Sequence, residues 1–280
     1  MTGVQTCALP ILLLVAATSQ AAVFKVKEGG AAPYFTNLDT ALWTAATYGG
    51  GPHQIQVYAG TYTTDIDLVV PSNVDEIAGV EAGVLFQNPT PPTNINNPLV
   101  DNFLDVAGSN GLTISGLHVK GYLGGIVTKG AMAVDLTVED CVFEDCIVGV
   151  YVGANGGLFD NLEIFGGWMG IGINSLFAGE NIDDNFIQNC TIHGIRRAPA
   201  IAINADENFF VPGPGNVAVT IDGNQILDCI VYECDDHAIM LAGATNTTVD
   251  GGEVYDVGFA GITCYGAAGG TIENIKIHQV

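Results

Sequence analysis

The chain has 280 residues, of which 30 are acidic and seven are basic, so its formal net charge is −23. This balance argues against a nucleic-acid partner, because contacts to phosphates depend on Lys and Arg. A polyanionic substrate would need a bridging cation for the same reason. An acidic surface is also a simple way to keep a secreted protein soluble.

The first 21 residues are predicted to lie outside the folded domain. Residues 1–11 (MTGVQTCALPI) resemble a translated sequencing adapter, and we interpret them as an artefact; the alternative is a genuine, unusual N-terminus. Residues 12–21 resemble the end of a truncated signal peptide, with an apolar run before the small-x-small site Ser19-Gln20-Ala21. That run is too short to span a bilayer. We therefore predict a secreted or cell-surface protein that starts near Ala22, with no membrane partner.

Residues 22–99 are predicted to form a capping helix and the first coils of a single domain that covers 22–280. Asn37 is a good N-cap for a short helix over residues 38–46. Two strand-like runs follow at residues 55–62 and 68–74. The Pro- and Asn-rich stretch 88–98 is typical of a loop and marks the change to more regular sequence at about residue 100.

A short phrase recurs seven times between Ile114 and Ile277: an aliphatic residue or Phe, any residue, a small polar or Gly position, two more residues and an apolar residue. A second phrase, Gly or Ala followed by aliphatic-x-apolar, lies between the copies. Self-similarity at this spacing marks a solenoid. Because each repeat has short strands, a tight polar turn and no helical period, it predicts one coil of a parallel β-helix.

Stacked coils place equivalent residues in columns, since neighbouring strands lie about 4.8 Å apart. One column, at the turn, holds residues that tolerate a left-handed backbone: Gly116, Asp140, Asn161, Asn189, Asp228, Gly251 and Asn274. The column after it is predicted to face the interior and contains Cys141, Cys190 and Cys229. We expect these to be buried free thiols, because stacked parallel neighbours suit disulfide geometry poorly.

Strand alternation predicts that Ile201 and Ile203 face inward. The outward set then contains small residues at Gly149, Gly170, Ala200, Ala238 and Gly261, together with Tyr151, Asn174, Asn204 and Tyr265. This pattern predicts a shallow trough in which Tyr151 and Tyr265 stack on sugar rings. The alternative is that small residues only ease strand stacking.

Insertions at 174–185 and 204–219 fall in two consecutive coils at one corner. Long neighbouring loops would form a wall beside the trough, and loops on a rigid scaffold are where function is concentrated. At the other end of the chain, Val280 directly follows an apolar strand phrase. Because solenoids need polar capping repeats, we predict that further coils are missing at the C-terminus.

The polar column resembles the asparagine ladder of the right-handed parallel β-helix superfamily, the pectate-lyase-like fold, and the Gly/Ala-Ile-x-Ile phrase resembles its first sheet. The resemblance covers residues 100–280 and, more loosely, 23–99. It implies an all-β protein: a right-handed parallel β-helix solenoid with a short N-terminal capping helix. In that superfamily the corner with the insertions borders the substrate groove.

The run Asp235-Asp236-His237-Ala238-Ile239 resembles the paired aspartates of polygalacturonase-type glycoside hydrolases. The resemblance implies acid and base roles for Asp235 and Asp236. From their positions beside this pair, we predict a positioning or proton-transfer role for His237 and substrate-clamp roles for Arg196 and Arg197. In such enzymes the two carboxyl groups lie roughly 6.5–9.5 Å apart when the reaction inverts the sugar. The structural alternative is a turn held by an Arg197–Asp235 salt bridge.

Two other functions stay open. A calcium-dependent polyuronate lyase would need oxygen ligands, which Asp183, Asp184, Asp206 and Glu207 could supply, with Arg196 or Arg197 as base or carboxylate clamp. A non-catalytic carbohydrate-binding module or surface adhesin would need neither the calcium ligands nor the acid and base carboxylates. The sequence favours an enzyme that acts on a polysaccharide, and it favours hydrolysis over elimination. We expect this enzyme to be a monomer that requires no cofactor, and calcium is the one ion for which ligands are predicted.

Overall fold

The computed structural model describes residues 21–64, 67–92, 101–174, 181–204 and 220–280. The adapter and signal-peptide interpretations concern residues 1–21, of which only Ala21 is described, and stay predictions. Within the described residues the chain forms 32 strands and one helix, and all the strand pairs are parallel. No helix in this part of the chain combines the length and apolar character needed to cross a membrane.

Three long sheets form the faces of the molecule. The strands of the first sheet, in spatial order, are Val23–Val26, His53–Val57, Val74–Gly79, Thr113–Ser115, Thr137–Glu139, Leu158–Asp160, Phe186–Gln188, Gln225–Leu227, Thr248–Asp250 and Thr271–Glu273. Those of the second sheet are Gly60–Thr63, Val84–Gln87, His118–Lys120, Val142–Glu144, Glu163–Phe165, Thr191–His193, Ile230–Cys234, Glu253–Val257 and Lys276–His278.

The strands of the third sheet are Leu68–Val69, Leu104–Asp105, Gly124–Val127, Val148–Val152, Met169–Asn174, Ile201–Asn204, His237–Ala242 and Ala260–Tyr265. Short strands at the corner after it form two small sheets, Ala133–Val134 with Ala154–Asn155, and Ile182–Asp183 with Ile221–Asp222 and Ala244–Thr245. The chain visits the first, second and third sheets in turn, and each visit adds a strand to the same edge. Ile171, Ile201 and Ile239 are direct neighbours in this register.

The predicted polar column is confirmed as a left-handed turn. All seven residues have positive φ, from 50° at Asn161 and Asp228 to 71° at Gly251. Asn161 Nδ2 donates to Asp140 Oδ1 at 2.6 Å, which joins two adjacent coils along the column. Asn, Asp and Gly are favoured here because most other side chains are strained in this backbone region.

Two more left-handed columns were not predicted. One follows the second sheet and contains Gly121, Asp145, Gly166, Gly194, Glu233, Asp256 and Gln279. The other precedes the first sheet and contains Gly111, Asp135, Gly156, Asp184, Gly223, Asn246 and Gly269. A coil therefore has three tight corners, and Asp184 serves one of them.

The predicted capping helix is confirmed, with a longer C-terminal end. It spans Leu38–Tyr48, and Asn37 Oδ1 accepts a hydrogen bond from the Thr40 amide at 2.9 Å. Its buried residues Leu38, Ala41, Leu42 and Ala45 belong to the same apolar core as the strand interiors. The helix thus covers the N-terminal end of the solenoid. In the loop predicted over 88–98, residues 93–98 lie outside the described range.

The predicted outward direction of the Gly/Ala column is wrong. Ala200 and Ala238 are fully buried in the main core. A Cβ added at Gly170 would lie 2.8 Å from Ile192 Cγ2 and 2.4 Å from the Ala200 carbonyl oxygen. The coil turns from the second to the third sheet at this column, so strict alternation does not extend to it. Small residues are needed there because the corner packs against the second sheet from inside.

The prediction of buried free thiols is confirmed for Cys141, Cys190 and Cys229, and also for Cys146 and Cys234. Cys264, near the end of the last strand of the third sheet, is exposed. Burial raises the pKa of Cys141 and of Cys146 to about 12, so both remain thiols at neutral pH.

These burial differences predict selective alkylation. Iodoacetamide applied to the native protein is expected to modify Cys264 quickly and to leave Cys141 and Cys146 unmodified, because the thiolate is the reactive form. Peptide mass spectrometry measures this directly, and the denatured protein serves as the control in which all three react. Rapid native labelling of Cys141 would contradict the interior column.

Candidate functional site

Asp236 and His237 form a hydrogen-bonded pair where the chain enters the third sheet. His237 Nδ1 and Asp236 Oδ1 are 2.6 Å apart. A carboxylate oxygen accepts hydrogen bonds, so this contact is made by a form of the imidazole that bears a proton on Nδ1. His237 is 9% exposed, and Asp236 is half-buried. Placement at the first residue of the strand His237–Ala242 holds the imidazole against a rigid sheet.

Asp235 has a different environment from Asp236. It is exposed and lines a surface depression of about 530 Å³ together with Arg196, Glu233 and Asp256. The Asp235 amide donates to the Ile195 carbonyl at 2.9 Å, which fixes this turn against the coil below. The two adjacent aspartates therefore serve two neighbouring surfaces, one beside His237 and one beside Arg196.

Arg197 does not form the salt bridge with Asp235 that was the structural alternative; the ion pairs of the described residues include no such contact. Its guanidinium carbon lies 4.3 Å from the centre of the Trp168 ring, a cation–π contact. Arg197 is exposed. Trp168 was missed by the sequence analysis, because no repeat phrase includes it.

Trp168 and His237 lie two coils apart on the same edge of the third sheet. The Ala198 amide donates to the Trp168 carbonyl at 3.0 Å, and the Ala200 amide donates to the His237 carbonyl at 3.0 Å. The coil that carries Ala198 and Ala200 therefore lies between the coil of Trp168 and the coil of His237. Since coils repeat at about 4.8 Å, this edge carries Trp168, the two arginines and the Asp236–His237 pair within a short distance along the axis.

The predicted open trough on the outer face of the third sheet is wrong at these coils. Tyr151 is only 8% exposed, and its hydroxyl accepts a hydrogen bond from Asn174 Nδ2 at 2.8 Å. Burial raises the pKa of Tyr151 to about 12. Its ring lies over Gly172, where an added Cβ would be 2.8 Å from Tyr151 Cδ2. This face is instead a second apolar cluster that includes Met169, Ala202 and Met240.

The other predicted substrate contacts divide into buried and exposed groups. Asn174 and Asn204 are 2% and 4% exposed and are neighbours in register. Tyr265 is 53% exposed, so its ring is on the surface as predicted. The substrate-binding roles themselves stay predictions for all of these residues.

The predicted calcium ligands are not brought together among the described residues. Asp183 Oδ1 accepts from the Asp222 amide at 3.0 Å, and Asp184 is a left-handed corner residue. Asp206 and Glu207 lie outside the described residues. Within the part of the chain that is described, no three His, Cys, Asp or Glu side chains are grouped as a metal site. A calcium site that includes Asp206 and Glu207 stays a prediction.

The two insertions leave and rejoin the solenoid at matching positions. Asn174 pairs with Asn204 before them, and Ile182 pairs with Ile221 after them. Thr220 Oγ1 also donates to Asn181 Oδ1 at 2.7 Å. Residues 175–180 and 205–219, which make up most of the predicted wall, lie outside the described residues. The strand pairs on either side of these residues confirm that both insertions start from one corner.

A stack of five aromatic rings on the outer face of the second sheet was also missed: Phe165, His193, Tyr232, Tyr255 and His278. Successive ring centres are 4.7–5.4 Å apart, with interplanar angles of 1–11°. Each ring comes four residues after a member of the polar column, a spacing that could have revealed the stack. Because the rings cover one another, they present edges rather than faces to solvent, which favours a structural role.

The parallel sheets, the three-cornered coil and the single capping helix decide the architecture. This chain is a right-handed parallel β-helix protein. No protein-family model matches the chain, and no curated protein matches it in sequence.

Solved structures with the same fold are similar to this β-helix at low identity. The A-module of a mannuronan C-5 epimerase from Azotobacter vinelandii is 12% identical, with 87% of this chain and 92% of that chain covered and a TM-score of 0.45. A rhamnogalacturonan lyase is 14% identical, covering 89% of this chain and 62% of that one, at 0.48. The pectate lyase Pel9A is 12% identical, covering 92% and 78%, at 0.44. Similarity at this level assigns no function to this chain.

Proposed function

We propose that this β-helix protein acts on a polysaccharide, and that it cleaves a glycosidic bond by hydrolysis beside Asp235, Asp236 and His237. The observation that carries the proposal is the 2.6 Å contact between His237 Nδ1 and Asp236 Oδ1 at a surface edge that also holds Arg196 and Arg197. A carboxylate with a purely structural role needs no partner that can transfer a proton. A catalytic carboxylate functions better beside such a partner, because its orientation and protonation must be controlled.

The residues have separate roles in this proposal. Glycoside hydrolysis uses one carboxyl group to protonate the leaving oxygen and a second to activate water or attack the sugar. Asp236, held by His237, is one of them, and Asp235 at the adjoining depression is the other. Arg196 on the same depression offers donors to sugar hydroxyls. The reaction requires no metal or cofactor.

The exposed aromatic side chains near the pair support a sugar ligand. Phe259 is 66% exposed and Tyr265 is 53% exposed, and both have ring contacts with His237. Aromatic faces bind the apolar C–H face of a pyranose while hydroxyls reach polar groups around it, which is the usual composition of a ligand site. The net charge of −23 favours a neutral polysaccharide over a polyuronate. We further propose that the protein is a monomer that is secreted or held at the cell surface.

A panel of neutral and uronate polysaccharides, assayed in calcium and in chelator, tests the reaction class. We expect new reducing ends without the ultraviolet absorbance of unsaturated uronates, and no effect of chelator. Absorbance that disappears with chelator would instead indicate the calcium-dependent lyase. Binding of a polysaccharide without any product would indicate a carbohydrate-binding module or adhesin.

A further inference from the structure

The second nitrogen of His237 has an unusual environment. Nε2 is buried from solvent and has no hydrogen-bond partner among the residues that the structure describes. Nδ1 is already engaged by Asp236. A buried imidazole nitrogen without a partner is costly, and such groups call for a specific explanation.

Two aromatic rings lie beside the imidazole on the side of the next coil. The Phe259 ring centre lies 4.7 Å from that of His237, and the Tyr265 ring centre lies 6.4 Å away. Since His237 pairs with Ala260, Phe259 stands one residue earlier, over the Asp236 level of the coil below. The neighbours of the imidazole therefore include its own strand, Asp236 and two aromatic rings.

The backbone next to Phe259 packs closely against the coil below, whereas the Phe259 side chain is mostly exposed. A Cβ at the preceding Gly258 would lie 2.6 Å from the Asp235 carbonyl oxygen, so the chain approaches the coil below closely at this point. The Phe259 side chain is nevertheless 66% exposed. A ring with so little packing can change rotamer at small cost, whereas the backbone that carries it cannot move.

We propose that Phe259 is a sugar-positioning residue that shields His237 Nε2 in the free protein and moves aside when a pyranose binds. The sugar stacks on the displaced Phe259 ring, and one of its hydroxyls bonds Nε2. This inference rests on the proposed function for its ligand, an uncharged sugar ring, but the shielding is a property of the free protein. It assigns a role to a residue outside every repeat phrase.

Chemical labelling of histidines tests the shielding without any turnover. Diethyl pyrocarbonate acylates an accessible neutral imidazole, and peptide mass spectrometry gives the rate for each histidine. We expect His237 to react at least about tenfold more slowly than His118, which is part-exposed on the second sheet. Phe259→Ala is expected to raise the His237 rate by about tenfold, and Phe259→Tyr to keep it low.

Phe165→Ala is the matched control, because it removes a ring stacked on His193 on another sheet and should leave the His237 rate unchanged. A fast His237 rate in the unmodified protein, or no change in Phe259→Ala, would overturn the shielding. Hexasaccharides of a β-1,4-glucan, an α-1,3-glucan and a β-1,4-mannan then test the sugar contact. We expect calorimetry to show one of them binding the unmodified protein and binding Phe259→Ala about tenfold more weakly, because the stacking ring is lost. Equal affinity for the two proteins, or binding to neither, would overturn the contact, and the cleavage assay scores the proposed function separately.

Discussion

Replacing Asp236 by Asn is expected to lower kcat on the cleaved polysaccharide by roughly 10²–10⁴-fold, the usual contribution of a positioned acid or base. Asn keeps the size of the side chain, and its carbonyl oxygen can still accept from His237 Nδ1 at the observed distance of 2.6 Å. The substitution therefore removes the ionisable group and retains the contact. Because the interaction with the reacting bond is lost in the transition state, KM should change little.

The control for this prediction is Glu163→Gln, which removes an exposed carboxylate from the second sheet, away from the pair. It should leave kcat unchanged. Thermal unfolding of Asp236→Asn should match the parent within a few degrees, so that lost activity cannot be attributed to unfolding. Full activity in Asp236→Asn would contradict the assignment of this carboxylate, whatever the reaction class.

Gly170→Ala is expected to lower the free energy of unfolding by about 1–3 kcal/mol, the usual cost of overpacking a well-packed core. The new Cβ would lie 2.4 Å from the Ala200 carbonyl oxygen and 2.8 Å from Ile192 Cγ2. Backbone atoms of the neighbouring coil cannot move without disturbing the sheet. Gly170→Val should cost more, since it adds volume at the same closed corner. Denaturant unfolding, followed by circular dichroism, measures both variants.

Gly130→Ala is the matched control, because a Cβ there would meet no atom within 4 Å. It should be neutral or slightly stabilising through the unfolded chain. If the Gly/Ala column faced outward, Gly170→Ala would leave the free energy of unfolding as little changed as Gly130→Ala does. Equal stability of the two variants would therefore contradict the inward direction of the Gly/Ala column.

The repeat pattern in the sequence was sufficient for the architecture. Left-handed corner residues come from a short set of amino acids, so the column from Gly116 to Asn274 could be read without coordinates, and all seven members have positive φ. The capping helix followed from Asn37 for a similar reason, because an N-cap is a local feature. A coil is a local unit that contacts only its neighbours, so a repeated local pattern predicts a stack of coils.

Part of the candidate site could also be predicted from the sequence. Asp236 and His237 are adjacent in the chain, and the structure brings them into contact. The catalytic roles that the resemblance to paired aspartates implies for this run stay a prediction. Trp168 and Phe259 were missed, because each occurs once and neither belongs to a repeated phrase.

What the sequence determined by itself was therefore the repeating coil of this protein and one of its three left-handed corner columns. Only the tertiary structure decided which way the Gly/Ala column faces, that Tyr151 is buried in an apolar cluster on the outer face of the third sheet, and that Arg197 contacts Trp168 rather than Asp235. The physical reason is that repeats report average positions along a coil. The direction of a side chain at a corner depends on how sharply the backbone turns there and on which atoms of the next coil are within reach.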